Sequence, residues 1–362
     1  MASSAQLIER LGVRLPIIQA PMAGVSTSAM AAAVTEAGGL GSIAVGAGDA
    51  EAARQAIAEV RERTQGSFNV NLFTHQPAIA DPAKEAAWIE RLRPQFQSFG
   101  ATPPTSLTEI YRSFVADDEM MAMLLEERPP VVSYHFGLPG EERIRALRRA
   151  GIVQLATATN LAEAQAIASA GIDAIVAQGW EAGGHRGMFD PDQPDERLTA
   201  FDLVRLIVEE LEMPVVAAGG IMDGAGIAAA LGLGASAAQL GTAFIAAEES
   251  LADEGFRSVL ASDAAHHTLM TRVVSGRPAR CLPNRFTALG ADVQASEIPA
   301  YPIAYDLGKA LNAAAKSKGE FGFGAQWAGQ GAPLCRPLPA GQLVQILADE
   351  LDRALAERIA YD

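Results

Sequence analysis

Cysteine is nearly absent: Cys281 and Cys335 are the two sulfhydryls in 362 residues, with no Cys-x-x-Cys and no histidine at ligand spacing. Neither a disulfide framework nor a zinc site is expected from such a pair. Aromatic residues are scarce at 6%, and no apolar run approaches the roughly 20 residues that span a bilayer. Basic residues are short as well, 28 against 43 acidic ones, which leaves a formal charge of −15. That balance argues against a nucleic acid or an anionic membrane surface as partner, since both need a basic footprint. Small anions stay open, because local fields hold them. The first residues run into a short charged amphipathic stretch and lack a basic segment followed by an apolar one. A soluble, reduced, cytoplasmic protein is the expectation.

What is present points to a large folded core, with hydrophobic residues at 49%. Eight short apolar runs recur, at 16–22, 40–45, 68–73, 131–136, 153–158, 174–179, 214–220 and 237–242. Several end on a small or polar residue, as at Ala158, Gly179, Gly220 and Thr242, and each gives way to a helical pattern. Several of those patterns stop at glycine, as at Gly38, Gly151, Gly171 and Gly234, where a left-handed C′ residue turns the chain back to the sheet. One helix is bounded at both ends, from its N-cap Asn160 to Gly171. Eight βα units predict an α/β fold of the (β/α)8 TIM-barrel type rather than a doubly wound sheet.

Two stretches break the rhythm. Residues 76–130 contain Pro77, Pro82, Pro94, Pro103 and Pro104, with helical patches near 83–91 and 106–127; residues 262–330 are rich in Gly and Pro. Long excursions from a compact barrel are usually lids or substrate-contacting segments. The expected organisation is a barrel of residues 1–75 and 131–261, closed by a helix within 331–362. A mainly helical lid is expected from 76–130 and 262–330.

Candidate binding residues sit at the ends of the apolar runs. Run seven ends in Gly219-Gly220, and run eight in Gly241-Thr242 leading toward a helix. Barrels often hold phosphate in these two loops, where glycine admits backbone N–H groups and a helix N-terminus adds positive potential; tight βα turns are the plainer reading. No Gly-x-x-x-x-Gly-Lys-Ser/Thr loop is present, nor a Gly-x-Gly-x-x-Gly after a strand, so P-loop and Rossmann proteins fit poorly. Gln19-Ala20-Pro21-Met22-Ala23-Gly24 offers a flat apolar platform suited to a ring such as a flavin, or else an ordinary strand end. Asn71 and Gln178 end runs three and six, where a neutral amide meets a heterocycle or makes a turn.

Reactive candidates are few. His185 lies in the glycine-dense loop 178–187 beside Arg186. A lone histidine is more often structural, but this loop position suits proton transfer or contact with an anion. His135 ends run four and reads equally well as a hydrogen-bonded core residue. His266 and His267 read as surface residues, and no grouping of ligands suggests a metal. A helix starting near Pro302 puts Tyr305 and Lys309 on one face, with Tyr301 at its start. Two phenols and an ammonium can hold a small anion; an amphipathic surface helix explains the same pattern.

Together these motifs, with Asn71-Leu72-Phe73, Gly179 to His185, Ala217 to Ile221 and Gln239 to Thr242, cover nearly the whole chain. The sequence resembles class I nitronate monooxygenases, formerly called 2-nitropropane dioxygenases, which are FMN-dependent barrel enzymes. The barrel motifs are shared with FMN-dependent enoyl-ACP and quinone reductases; the Tyr301…Tyr305…Lys309 run favours the class I group. The resemblance implies that Met22, Asn71, Gln178, Gly183, Gly220, Gln239, Gly241 and Thr242 contact FMN. It makes His185 the catalytic histidine, and Tyr111, His135, Tyr301, Tyr305 and Lys309 substrate-pocket groups. It implies a detoxifying oxidation: a nitronate gives an electron to FMN, O2 is consumed, and a carbonyl compound and nitrite form. Propionate 3-nitronate is the typical substrate, and its carboxylate gives Lys309 a partner. A monomer or homodimer is expected. Two alternatives stand beside it: an NAD(P)H-dependent FMN reductase of quinones or enoyl thioesters, and a flavin- or phosphate-binding protein without catalysis.

Overall fold

Side chains that alternate along a strand divide each apolar run into two faces. In the run at 131–136, Val132 and Tyr134 join the helices in one buried cluster, while Val131 joins another at the barrel axis. The computed structural model describes residues 4–361, and there the eight runs become eight parallel strands. They are β1 (Ile17–Gln19), β2 (Gly41–Ala44), β3 (Phe68–Phe73), β4 (Val131–His135), β5 (Val153–Ala158), β6 (Ala174–Gln178), β7 (Val215–Ala218) and β8 (Ala237–Leu240). Each pairs with its sequence neighbour, and β8 pairs with β1 through Ile18 opposite Gln239. Leu40 closes the ring: its N–H donates to Ile17 O at 2.9 Å and its carbonyl accepts from Gln19 N–H at 2.9 Å. The protein is a (β/α)8 barrel. Runs seven and eight overshoot their strands because their last residues are the Gly219-Gly220 and Gly241-Thr242 turns.

Local signals set the helices. Asn160 accepts from Glu163 N–H at the start of Leu161–Ser169, and the chain turns back at Gly171 with φ of +73°. Gly38, Gly151 and Gly234 end other helices in the same left-handed way. The helix Ser4–Leu11 plugs the N-terminal end of the barrel, where Leu7 and Leu11 pack on Ile18, Leu155, Val176 and Val216. Burying each such side chain contributes about 1.5–3 kcal/mol. The opposite end is left open, and inward-facing residues at the strand ends form its mouth.

Two expectations need correction. No α-helix follows β8 directly: Thr242–Phe244 is a three-residue 3-10 turn. The outer-layer position beside β8 goes to the C-terminal helix Ala340–Tyr361, whose Leu343, Val344 and Leu347 pack on Met30, Val34 and Ile227. The patch at 106–127 is helical only in its second part, as a 3-10 turn at Phe114–Ala116 and a helix over Asp118–Glu127. That helix lies in the barrel's outer layer, with Met120, Met123 and Leu124 in the cluster of Val70 and Val132. The helices Pro82–Ser98 and Ile303–Lys316 meet above the mouth through Trp88, Leu92, Phe96, Leu307 and Leu311. A small antiparallel sheet of Leu269–Thr271, Ala279–Cys281 and Gly184–His185 completes the rim. None of the described helices is long and apolar enough to cross a membrane.

Candidate active site

A cavity of about 320 Å³ opens at the C-terminal mouth, and all fourteen residues nominated from the sequence line it. Period-two alternation explains the inner ring: Asn71, His135, Gln178 and Gln239 each stand on the inward face at or near a strand end. Asn71 is oriented by its amide, which donates to Ser133 Oγ at 3.0 Å. Gln178 is spent on the loop that follows it. Its Nε2 donates to His185 O at 3.0 Å, and its Oε1 accepts from Gly187 N–H at 2.8 Å.

The other wall is built from glycine turns. Gly219 and Gly220 hold φ of +124° and +70°, backbone that side chains rarely adopt. Among the cavity-lining residues Lys309 is the one Lys or Arg, so an anion at the glycine end would meet backbone N–H groups. The helix after β7, Gly224–Gly232, does not offer its N-terminus freely. Asp223 caps it, and Glu350 accepts from Gly224 N–H at 3.0 Å. A strap at 327–331 crosses the loops: Gly329 N–H donates to Thr242 Oγ1 at 2.9 Å. It passes so near that a Cβ on Gly183 would stand 2.4 Å from Gly329 N.

His185 is fixed at both ends. Its Nε2 lies 2.8 Å from Ser275 Oγ, and its carbonyl accepts from Gln178 and, at 3.2 Å, from His135 Nε2. Tyr301, Phe136 and Trp327 enclose its ring at centroid distances of 5.3, 5.6 and 5.0 Å. Burial, then His135 and Arg277, holds its pKa well below 6.5, so the imidazole is neutral. His135 is pushed down to about 4, chiefly by burial. Its Nε2 faces a carbonyl and must donate, so Nδ1 accepts from Thr157 Oγ1 at 3.1 Å. Both of its nitrogens are therefore committed to protein groups.

Opposite lies the cation. Lys309 Nζ donates to Tyr111 OH at 2.9 Å and stands 5.8 Å from the ring centre of Tyr305. Burial pushes Tyr111 up to about 12 and raises Tyr305 too, so both phenols stay protonated. Arg186, in contrast, is not a rim cation. It is buried, paired with Asp195 at 2.8 Å, and donates to the carbonyls of Gln178 and Gly179; its role is to hold the loop. His266 and His267 are exposed, as expected.

Sequence reading missed Ser275, Arg277, Phe136 and Trp327. Arg277 is buried with its guanidinium carbon 4.2 Å over the Phe136 ring, and its charge depresses His75, His135 and His185. Nothing in the aperiodic stretch 262–330 marked Ser275 or Arg277; Trp327, one of three tryptophans, was the one visible signal.

Known proteins resemble this chain in sequence and fold. The sequence pattern of the family described as "Nitronate monooxygenase" matches residues 4–350. The chain belongs to the nitronate monooxygenase family. The nitronate monooxygenase of Paraburkholderia phytofirmans is 59% identical over 97% of this chain and 96% of its own. That of Pseudomonas aeruginosa is 53% identical over 94% and 97%. Among solved structures, nitroalkane oxidase from Streptomyces ansochromogenes superposes with a TM-score of 0.89 and 41% identity, over 98% of this chain and 99% of that one. FabK from Thermotoga maritima gives 0.76 and 28%, over 99% of both. Membership makes the chain an oxidoreductase, and the cavity at the barrel mouth is its candidate active site.

Proposed function

We propose that this chain uses bound FMN and O2 to oxidise nitronates to a carbonyl compound and nitrite, with propionate 3-nitronate as the substrate its cavity fits. One observation carries the reading. A neutral imidazole at His185 and the ammonium of Lys309, held by the Tyr111 hydroxyl at 2.9 Å, face a single small cavity. A dianion with a nitronate at one end and a carboxylate at the other matches such a pair.

The residues present fit FMN. Asn71 and Gln239 supply amides for a heterocycle edge, and Met22 a flat apolar wall. Gln178 borders the same space while holding the His185 loop. Gly220, Gly241 and Thr242 supply N–H groups for a phosphate, as cation-free glycine turns do elsewhere. Gly183 has no side chain to obstruct the strap. When bound, FMN supplies the electron acceptor and the centre at which O2 is consumed.

The chain's own groups do the rest. Lys309 draws in the carboxylate, and the protonated phenols of Tyr111 and Tyr305 can donate to it. His185 meets the nitronate end as a neutral group, so the oxidisable anion is not trapped in a tight ion pair. Phe136, Tyr301 and Trp327 exclude water from that end. His135 holds the backbone of His185 and shapes the pocket wall.

The barrel motifs, which resemble those of FMN-dependent enoyl-ACP and quinone reductases as well, favour a second reading, an NAD(P)H-dependent flavin reductase. Oxygen uptake and nitrite release, followed together over a panel of nitronates and neutral nitroalkanes, test the proposal. Coupled signals with propionate 3-nitronate support it. No nitrite from any nitronate, with steady NADPH oxidation in the presence of a quinone, would replace it by the second reading.

A further inference from the structure

Ser275 is the residue outside the cavity that contacts a ring nitrogen of His185. It is fully buried, and its Oγ has three neighbours: His185 Nε2 at 2.8 Å, Arg277 O at 3.3 Å and Arg277 N at 3.4 Å. The hydroxyl carries a single proton. Hydroxyl bonds to oxygen run at about 2.5–3.0 Å, so the carbonyl of Arg277 is too distant to be its principal acceptor. The backbone N–H of Arg277 can only donate. Nε2 is left as the acceptor that satisfies the serine best.

The serine is itself held rigidly. Gly276 N–H donates to Arg272 O at 2.8 Å, and Gly276 has φ of +90°. A Cβ on Gly276 would stand 2.6 Å from Pro299 O and 2.9 Å from Tyr301 N. The loop is therefore wedged against the turn that presents Tyr301. On the far side, the short strand Gly184–His185 pairs with Ala279–Cys281, His185 lying opposite Ala279. One loop thus grips the histidine by its backbone and by its ring.

We propose that Ser275 is a positioning residue that donates its hydroxyl proton to Nε2 of His185, fixing the tautomer in which Nδ1 carries the proton and faces the cavity. This rests on the role given to His185 under the proposed function. The consequence is chemical: Nδ1, which has no protein partner among the described residues, meets a bound anion as a hydrogen-bond donor rather than as a lone pair. The depressed pKa of His185 agrees, since a single ring proton is then available to be placed. Without the serine the two neutral tautomers would mix, and in one of them a lone pair would face the anion.

Nitrogen NMR of holoenzyme carrying ¹⁵N-labelled histidine tests this directly. His185→Asn identifies the His185 signals by their loss. Near neutral pH the wild type should show a protonated Nδ1 and an unprotonated, hydrogen-bonded Nε2. In Ser275→Ala the Nε2 signal should move toward that of a free imidazole nitrogen and the two sites should average. With propionate 3-nitronate, kcat should fall about tenfold, the worth of one buried hydrogen bond, while flavin content stays unchanged. Ser275→Thr should restore the Nε2 signal and most of kcat. A protonated Nε2 in the wild type, or Ser275→Ala with kcat within twofold of wild type, would overturn the proposal. If Ser275→Ala does not fold, the wild-type spectrum decides alone. The spectrum needs no substrate, so it stays decisive if nitronates prove not to be oxidised.

Discussion

Lys309 Nζ donates to Tyr111 OH at 2.9 Å across 198 residues of sequence. The lysine comes from the helix Ile303–Lys316, and the tyrosine from the irregular chain that precedes the Phe114–Ala116 turn. They meet because Trp88, Leu92 and Phe96 of one excursion pack on Leu307 and Leu311 of the other. The proposed anion site thus depends on both excursions docking on each other.

Lys309→Met should therefore discriminate between substrates. Hydrogen bonds to charged groups are worth about 1.5–3 kcal/mol, which is about 10–100-fold in kcat/KM for propionate 3-nitronate. A simple alkyl nitronate, lacking the carboxylate, should lose much less. Steady-state kinetics on both substrates check this, and equal losses would remove the charge-pairing role.

His185→Asn should keep the flavin and lose turnover. The backbone contacts from Gln178 and His135 to residue 185 remain in the variant, so the loop keeps its anchor. A positioned imidazole contributes about 10²–10⁴-fold. The flavin absorbance of the purified variant and its nitrite release give the two readouts.

Acid should destabilise the protein through its buried histidines. Burial lowers His75 and His135 from 6.5 to about 4, and lowers His185 as well. Between those values the unfolded chain binds more protons than the folded one, so stability falls as pH falls from 6.5 toward 4. The loss approaches roughly 3 kcal/mol for each of His75 and His135. Tm measured over that window should drop, and His75→Leu should flatten the slope. For the same reason kcat should show no inflection near 6.5.

Two glycines should separate folding from cofactor binding. A methyl on Gly241 meets Ala20 Cβ at 3.4 Å and Met22 Sδ at 3.7 Å, ordinary contacts beside the cavity. Gly241→Ala should leave the Tm of the flavin-free protein nearly unchanged and weaken FMN by about 10–100-fold, the cost of one overpacked methyl. Gly183→Ala is different, because its methyl meets backbone at Gly329 N. It should lower Tm as well. Thermal melts and flavin titration distinguish the two.

The barrel was legible because its signals are local and repeated. Runs with a left-handed glycine before them, at Gly151 and Gly171, mark strands whether or not their partners are known. Inward-facing Asn71, Gln178 and Gln239 could be read from strand ends by the same alternation. The role of Arg186 was not legible, because its partner Asp195 lies within an aperiodic loop and nothing in the sequence marks the buried ion pair. Ser275 and Arg277 were invisible for a related reason. Their positions depend on a three-stranded sheet joining residues 184–185 to 269–281, and strands of two or three residues leave no periodic trace. The supposed helix after β8 failed on long-range packing: Ala340–Tyr361 had taken its place.

The most direct test is anaerobic mixing of the FMN-loaded protein with propionate 3-nitronate, and separately with NADH and NADPH, while the flavin absorbance is followed. Rapid bleaching by the nitronate, with little change on mixing with either nicotinamide, is the predicted result. Rapid bleaching by NADH or NADPH and none by the nitronate would contradict the account.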